Sequence, residues 1–454
     1  MKKILIIFSL IIAIFFATFS VLFYNVKNNT DLYFSLKQKI PQKQKKAIRG
    51  FLTKINSFFI SDTEVFIFKK GKNINMQSMK YDNALKIFTN PNLIFTGPRA
   101  YFASNDKNLF LITGTGILMY TNLINIDETQ EKIEFFKVSN NFEELFKKYK
   151  DENNFFLKTS MVKSILYDNG NLYVSAVQKI NDSCYTHVIY KGALNLENIE
   201  FKEFYKFDEC KPFYTDYLGG TISKYKDDKF LFTVGDWTVC EDERWMKVYP
   251  KGNCTERGAQ SLSSDLGKIF SINKKTKKKV ILSIGHDNPQ GIIYDKVNNV
   301  IFSTEHGPQG GDELNINDNI DNNITNFGYP ISSYGEHYGY PMDSIKYLYE
   351  EAPLYKSHKD HGFVEPIDYF VPSIGISDID KYNNKLIVAS LGAEIEQGDL
   401  SLYIYSLNEN LEIKKREINK IYQRIRDIHI ANDHVFLYLE STGSIGFFKI
   451  ENLN

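Results

Sequence analysis

The chain has 454 residues, 43% of them apolar and 15% aromatic, enough to fill one large repeat architecture or two to three average domains. Lys plus Arg and Asp plus Glu each number 55, so the formal net charge is zero. That balance excludes the basic footprint of a nucleic-acid-binding protein.

In chain order, Lys2 and Lys3 come first, followed by an uncharged run from Ile4 to Phe23. As a helix this run is about 30 Å long, the thickness of a hydrocarbon core. Ala17–Ser20 is a poor cleavage site, so the pattern predicts an uncleaved signal anchor over residues 1–24, with a cleaved signal peptide as the alternative. The two lysines stay inside the cytoplasm. The rest of the chain is then membrane-anchored on the periplasmic or extracellular face. Residues 25–61 read as a stalk. Within it, Gln42–Phe58 is a basic helix candidate with Ile48, Phe51, Leu52, Ile55 and Phe58 on one side.

From residue 62 to 454 the pattern is strands and turns, apart from a short helix candidate at Asn141–Lys150. One unit recurs, a turn of Asn, Asp or Lys followed by a short apolar run. It appears as NDKNLFLITGTG from Asn105, DNGNLYVSAVQ from Asp168, KDDKFLFTVGD from Lys226, KVNNVIFSTEHG from Lys296, YNNKLIVASLGAE from Tyr382 and ANDHVFLYLESTG from Ala431. Six copies, roughly 50–85 residues apart, predict an all-β, six-bladed β-propeller with about four antiparallel strands per blade. A pair of large β-sandwiches is the alternative.

The stretch Ile284–Pro330 carries three clusters of Gly, Pro, Asn and Asp, at Gly285–Gly291, Glu305–Glu313 and Asn322–Pro330, with an apolar strand at Val300–Ser303 between the first two. These read as loops at one end of a β scaffold. His286, Asp287, Asn288, His306, Asp312 and Glu313 crowd into them and suggest a polar pocket. Asp312 is a candidate substrate-binding residue. The four cysteines, Cys184, Cys210, Cys240 and Cys254, form no C-x-x-C pair. Of their three pairings, the sequence-local one, Cys184–Cys210 with Cys240–Cys254, suits an oxidising compartment. Four free buried thiols are the alternative.

GHDNPQG (Gly285–Gly291), STEHGPQGGDELN (Ser303–Asn315) and NFGYP (Asn326–Pro330) together resemble the glucose/sorbosone dehydrogenase family, the soluble sugar dehydrogenases that depend on pyrroloquinoline quinone (PQQ). The likeness extends to LGGTISKYKDDKFLFTVGD from Leu218, AQSLSSDLGKIFSI from Ala259, VPSIGIS from Val371 and RIRDI from Arg424, and covers most of residues 160–454. Family members look like six-bladed propellers with PQQ over the axis and a Ca²⁺ ion bridging it to the protein. The resemblance implies that Asn288, Arg424 and Arg426 bind the cofactor, and that Gly307 and Pro308 offer carbonyl oxygens to the metal. Arg424 and Arg426 are alternate strand residues and can converge on one anion.

Several positions depart from the family pattern. Tyr217 stands where the family has its histidine base, Thr221 and Asp287 where it has arginines, and Gly392 where it has a lysine. Tyrosine is protonated at neutral pH, with a pKa near ~10, whereas histidine titrates near ~6.5. Tyr217 and Asp287 are therefore the candidate catalytic positions, with Asp287 able to act as base or to bind a cation or sugar hydroxyls.

The implied function is oxidation of an aldose at its C1 hydroxyl, with electrons passed to a respiratory acceptor. The alternative is a redox-inactive propeller that binds a small sugar, glycan or protein partner. A third reading, a hydrolase, would draw on Asp236, Glu241, Asp242, Glu243 and Asp312.

Overall fold

The structure is a computed structural model that describes residues 63–79, 84–95, 99–146, 160–240, 258–337, 346–392 and 400–453. The expected anchor (1–24) and stalk (25–61) lie outside the described residues. No helix among the described residues is long and apolar enough to cross a membrane. Of the helix expected at Asn141–Lys150, the described residues show a single turn, Phe142–Leu145, and residues 147–150 lie outside them.

The fold is all-β and propeller-like. Every copy of the repeated unit forms the same local structure: a tight turn, then the second strand of an antiparallel sheet. Those second strands are Asn108–Thr113, Asn171–Asn181, Lys229–Val234, Val300–His306, Lys385–Ser390 and His434–Leu439. Five of the six turns hold a non-glycine residue in the left-handed region: Asn169, Lys226, Asn299, Asn383 and Asn432, with φ between 46° and 54°. Asparagine tolerates that conformation because its short polar side chain bonds locally. In the sixth turn Asn105 Oδ1 instead accepts the N–H groups of Lys107 at 2.9 Å and Asn108 at 2.7 Å. The second strands are buried on both faces, which is why they read as continuous apolar runs and not as an alternation.

Each turn is preceded by an inner strand. The six inner strands are Ala100–Ser104, Val162–Asp168, Gly219–Tyr225, Asn288–Asp295, Ile376–Tyr382 and Ile425–Ala431. Each packs against the next, and the sixth against the first, so they form a closed ring. The N-terminal strand Ala84–Thr89 pairs with the C-terminal strand Ser444–Lys449, joining the two ends of the described chain. Strand Val65–Lys70 pairs in turn with Lys132–Asn140. The last and first sheets thereby merge into one eleven-stranded sheet, beside separate sheets of four, five, four and four strands.

Sheets that radiate from a ring leave wedge-shaped gaps, and aromatic side chains fill them. Between the second and third sheets sit Tyr173, Phe207, Phe230, Phe232 and Phe270. Between the last and the first sit Phe68, Phe88, Phe102, Phe135, Phe436 and Phe447. The high aromatic content of the chain follows from this geometry. The expected disulfide Cys184–Cys210 is present. Cys240 is disulfide-bonded as well, whereas Cys254 lies outside the described residues.

The closure makes a direct prediction. Phe88 stacks on Phe447 at 5.7 Å between ring centroids, and both are fully buried. Phe88→Ala should destabilise the protein by about 3–5 kcal/mol in denaturant unfolding. A loss below about 1 kcal/mol would mean that the N-terminal strand does not hold the ring shut.

Candidate functional site

The inner strands present their free edges to the ring axis, and five of the six carry a register irregularity near the same end. The shifts fall at Val162/Ser164, Gly219/Ile222, Pro289/Gly291, Ile376/Ile379 and Ile425/Asp427. A bulge leaves a residue unpaired and re-aims its side chain. The residues released here, Lys163, Thr221, Gln290, Ser377, Asp378 and Arg426, all line one polar cavity on the axis, together with Arg99, Tyr101, Asp216 and Asp427. The cavity is about 20 Å³, room for a water-sized group. Gly220 makes space for it. Its φ is +102°, and a Cβ there would meet the Lys163 side chain at 2.8 Å.

The lining is strongly charged. Arg99 approaches Asp216 at 3.5 Å. Lys163 is 5% exposed and donates to the Tyr214 hydroxyl at 3.0 Å. Burial, and then the neighbouring Arg99, push its pKa well below that of an ordinary lysine. Opposite it, Asp378 Oδ2 accepts the N–H of Ile428 at 2.8 Å, and Asp427 Oδ2 accepts the N–H of Phe102 at 2.7 Å. Burial pushes Asp378 up to about 6 and Asp427 well above the usual range.

Arg424 and Arg426 converge on one anion, and that anion belongs to the chain itself. Arg424 Nε donates to Glu440 Oε1 at 2.5 Å and Arg426 Nε to Glu440 Oε2 at 2.7 Å. Against the cost of burial, Arg426 and then Arg424 hold the Glu440 carboxyl well below the usual carboxylate range. Arg424 also donates to the carbonyls of Leu391 and Gly392, at 3.0 and 2.5 Å. Arg426 is 6% exposed, and the rest of its guanidinium faces the cavity.

The stretch 284–330 is more regular than its composition suggests. Asn288–Gly291 lies within the fourth inner strand, and Glu305, His306, Asp312 and Glu313 are strand residues too. Gly and Pro there mark a bulge and not a loop. Of the six polar residues expected to crowd a pocket, none lines the axial cavity. Asp312 is 1% exposed and accepts from Ser373 Oγ at 2.9 Å, Ile374 N at 3.1 Å and Ile376 N at 2.8 Å. It ties the Gly307–Gly311 turn to the loop before the fifth inner strand, and burial pushes it up to about 6.

His286 Nδ1 meets Glu305 Oε2 at 2.7 Å, and His358 Nε2 lies 3.2 Å from Glu313 Oε1. Glu305 and Glu313 face each other across the strand pair. His306 is held down to about 3 by burial and by the charges of Arg426, Arg424 and Arg99. Asn288 Oδ1 accepts from Gly219 N at 3.0 Å and from Gln290 Nε2 at 2.8 Å.

Among the other expected positions, Tyr217 is half-buried beside the cavity residues Asp216 and Gly219. Asp287 is 3% exposed, and its carbonyl accepts the N–H of Asp236 at 2.6 Å. Pro308 O accepts from Gly311 N at 3.0 Å. Arg99, Lys163, Asp378, Asp427 and Glu440 escaped the sequence reading. Lone charges inside apolar runs, as in MVKSIL, were the signal available for Lys163, but nothing local distinguishes a bulge residue from a surface one.

Residues 157–446 match the glucose/sorbosone dehydrogenase family model. An uncharacterised protein of Synechocystis sp. is 25% identical over 281 residues, 58% of this chain and 62% of its own length. The aldose sugar dehydrogenase YliI of Escherichia coli is 28% identical over 186 residues, 38% of this chain and 45% of that protein. The chain therefore spans less than two-thirds of the length of these relatives. The crystal structure of the soluble E. coli aldose sugar dehydrogenase superposes with a TM-score of 0.55 at 17% identity, covering 77% of this chain and 94% of that one. A glucose dehydrogenase crystal structure gives 0.56 at 17% identity over 77% and 95%. At that identity these likenesses speak for the fold.

Glu440→Gln should destabilise the protein by about 3–5 kcal/mol at neutral pH, because it leaves two guanidinium groups without their counter-charge. The Glu440 pKa is depressed in the folded state, so its contribution is present above the ordinary value of 4.5 and lost as the pH falls below it. The gap between wild type and variant in urea unfolding should therefore shrink below that pH. A pH-independent gap would show that Glu440 is not ionised in the folded protein.

Proposed function

Because the chain belongs to the glucose/sorbosone dehydrogenase family, we propose that it is a membrane-anchored sugar dehydrogenase working on the periplasmic or extracellular face. In this reading the ring is a six-bladed propeller, supported by six inner strands packed in cyclic order. The substrate is an aldose, oxidised at its C1 hydroxyl, and a respiratory carrier takes the electrons. The observation that carries the reading is the guanidinium cluster of Arg99, Arg424 and Arg426 at the axial mouth. The disulfide Cys184–Cys210 supports an oxidising compartment.

The donor set present fits a quinone that carries carboxylates. The guanidinium of Arg426 is buried and bonded to Glu440 through Nε, and its outer N–H groups have no hydrogen-bond partner among the described residues. Asn288 accepts two hydrogen bonds on Oδ1, so its Nδ2 group has no partner among the described residues and remains a donor. The cavity itself is too small for a tricyclic quinone, which would lie over the mouth. Gly307 and Pro308 would offer carbonyl oxygens to Ca²⁺. Among the described residues no three His, Cys, Asp or Glu side chains gather to hold a metal, so the metal reading rests on those carbonyls. Bound there, PQQ would supply a two-electron acceptor for the C1 hydride.

The chain's own contribution is orientation and charge. Glu440 holds the two arginines side by side, and Asp312 fixes the Gly307–Gly311 turn through the loop Ser373–Ile376. A network that is already hydrogen-bonded needs little reorganisation when a ligand arrives.

Adding PQQ and Ca²⁺ to the purified protein should shift the quinone absorbance and support dye reduction with at least one aldose in a panel. Arg426→Gln should weaken quinone binding about tenfold to a hundredfold, the loss of one charge-assisted bond. Intact folding with no quinone binding would reject the dehydrogenase. Glycan binding without turnover would favour the redox-inactive propeller.

A further inference from the structure

The chain leaves the fourth sheet after the strand Asp312–Asn317 and returns to it at Asp368–Phe370. The excursion between them reaches back to the Gly307–Gly311 turn. Glu336 N donates to Gln309 O at 2.8 Å. Gly335 lies so close that a Cβ there would meet Pro308 O at 2.8 Å. A second arm braces this first one: Ser333 N donates to Tyr355 O at 3.0 Å, and Tyr355 N to Ile331 O at 2.8 Å.

One buried side chain, His358, joins both arms to the sheet, and it is 1% exposed. Its Nδ1 lies 2.7 Å from Phe327 O, and a carbonyl only accepts, so Nδ1 carries a proton. Its Nε2 lies 3.2 Å from Glu313 Oε1, an ion-pair distance without the alignment of a hydrogen bond. The other oxygen, Glu313 Oε2, accepts from Asn315 Nδ2 at 3.2 Å. A neutral ring would turn a lone pair toward a carboxylate where little water screens the repulsion. A second proton, on Nε2, converts that repulsion into attraction. Resting on the dehydrogenase reading for what the turn would hold, we propose that His358 is a positioning residue: as an imidazolium paired with Glu313, it pins the excursion to the fourth sheet and so holds the Gly307–Gly311 turn in shape for its ligand.

The charged and titratable groups around the ring come from each element packed on it. Glu305 lies directly opposite Glu313 on the neighbouring strand. Burial, and then Glu313, push Glu305 well above the usual range, so it stays neutral. His286, beyond it, is held down to about 3 by burial. From the first arm, Tyr334 stacks on His358 at 5.4 Å between ring centroids, and burial raises its phenol. From the second arm, Lys356 pairs with Glu336 at 2.9 Å, and Glu365 accepts from the Tyr334 hydroxyl and from Lys359 N, each at 2.8 Å. Asp360 and His361 are exposed. Glu313 is thus the buried anion that the ring faces.

Burial by itself would lower the His358 pKa. Glu313, then the Phe327 carbonyl and Glu365, raise it above the ordinary 6.5. The pin is therefore fully present below pH 6.5 and is lost as the pH rises through the raised value.

Nitrogen NMR of the histidine-labelled protein, without cofactor or sugar, should show both His358 ring nitrogens protonated at pH 6.5, with a midpoint above that value. Glu313→Gln should lower the midpoint, since burial then acts without its main opponent. With Ca²⁺ present, the affinity of the wild type for PQQ, read from the quinone absorbance, should fall about fivefold or more as the pH rises through the midpoint. His358→Gln keeps a donor for Phe327 O and loses the charge. It should bind PQQ at the weak, high-pH level throughout, with its unfolding midpoint reporting that it is folded. Glu313→Gln gives the same comparison through its lowered midpoint. A singly protonated ring in the wild type would overturn the pin while the dehydrogenase stands, and so would an equal pH dependence of affinity in the wild type and both variants. A doubly protonated ring in a wild type that binds no quinone at any pH would overturn the dehydrogenase reading and, with it, the role given to His358.

Discussion

The structure depends on how the free edges of the inner strands are satisfied. Each inner strand pairs on one side only, so its other edge presents unpaired N–H and C=O groups toward the axis and the neighbouring sheet. Buried backbone groups of that kind must find partners. Side chains from adjacent strands supply them. Asp427 takes Phe102 N, Asp378 takes Ile428 N, and Asp380 takes Ile430 N. Ser377 donates to Ile425 O, Thr304 to Ser377 O, Thr221 to Gln290 O, and Asn288 takes Gly219 N. These contacts stitch one sheet to the next around the ring, where no sheet hydrogen bonds run.

The same requirement makes the axis polar. A barrel core would fill with Val and Ile, but here the stitching demands Asp, Ser, Thr and Asn at the innermost positions, and the bulges turn Lys163, Asp378 and Arg426 inward among them. Polarity near the axis is thus partly a structural cost of radiating sheets. What exceeds that cost is the positive charge: Arg99, Lys163 and Arg426 bond to side chains and not to backbone groups. The clamp of Arg424 and Arg426 on Glu440 belongs to both categories, since it neutralises buried charge and orients guanidinium groups toward the mouth.

Much of the fold was legible along the chain because its signals are local. The repeated turn and apolar run mark one hairpin per sheet, since an asparagine in the left-handed region and a strand buried on both faces each leave a pattern within a dozen residues. The disulfide Cys184–Cys210 followed from proximity in sequence. In the candidate site, the pairing of Arg424 with Arg426 was readable from their spacing, but its anion, Glu440, was not, because it lies on the loop beyond the following strand. The crowding of His286, Asp287, Asn288, His306, Asp312 and Glu313 was read as a polar pocket. All but the half-buried His306 are buried within one sheet and the turns around it, and composition does not report burial.

What the sequence determined by itself is the repeating element and, through its linked motifs, the family. Both are carried by short-range chemistry: turn propensity, strand burial and motif spacing. The tertiary structure alone decided which side chains meet at the axis. A one-residue register shift exchanges the faces of a strand, and whether a strand shifts depends on the neighbour against which it packs. Lys163, Asp378, Arg426 and Asp427 come from three separate sheets and become one site only when the ring closes.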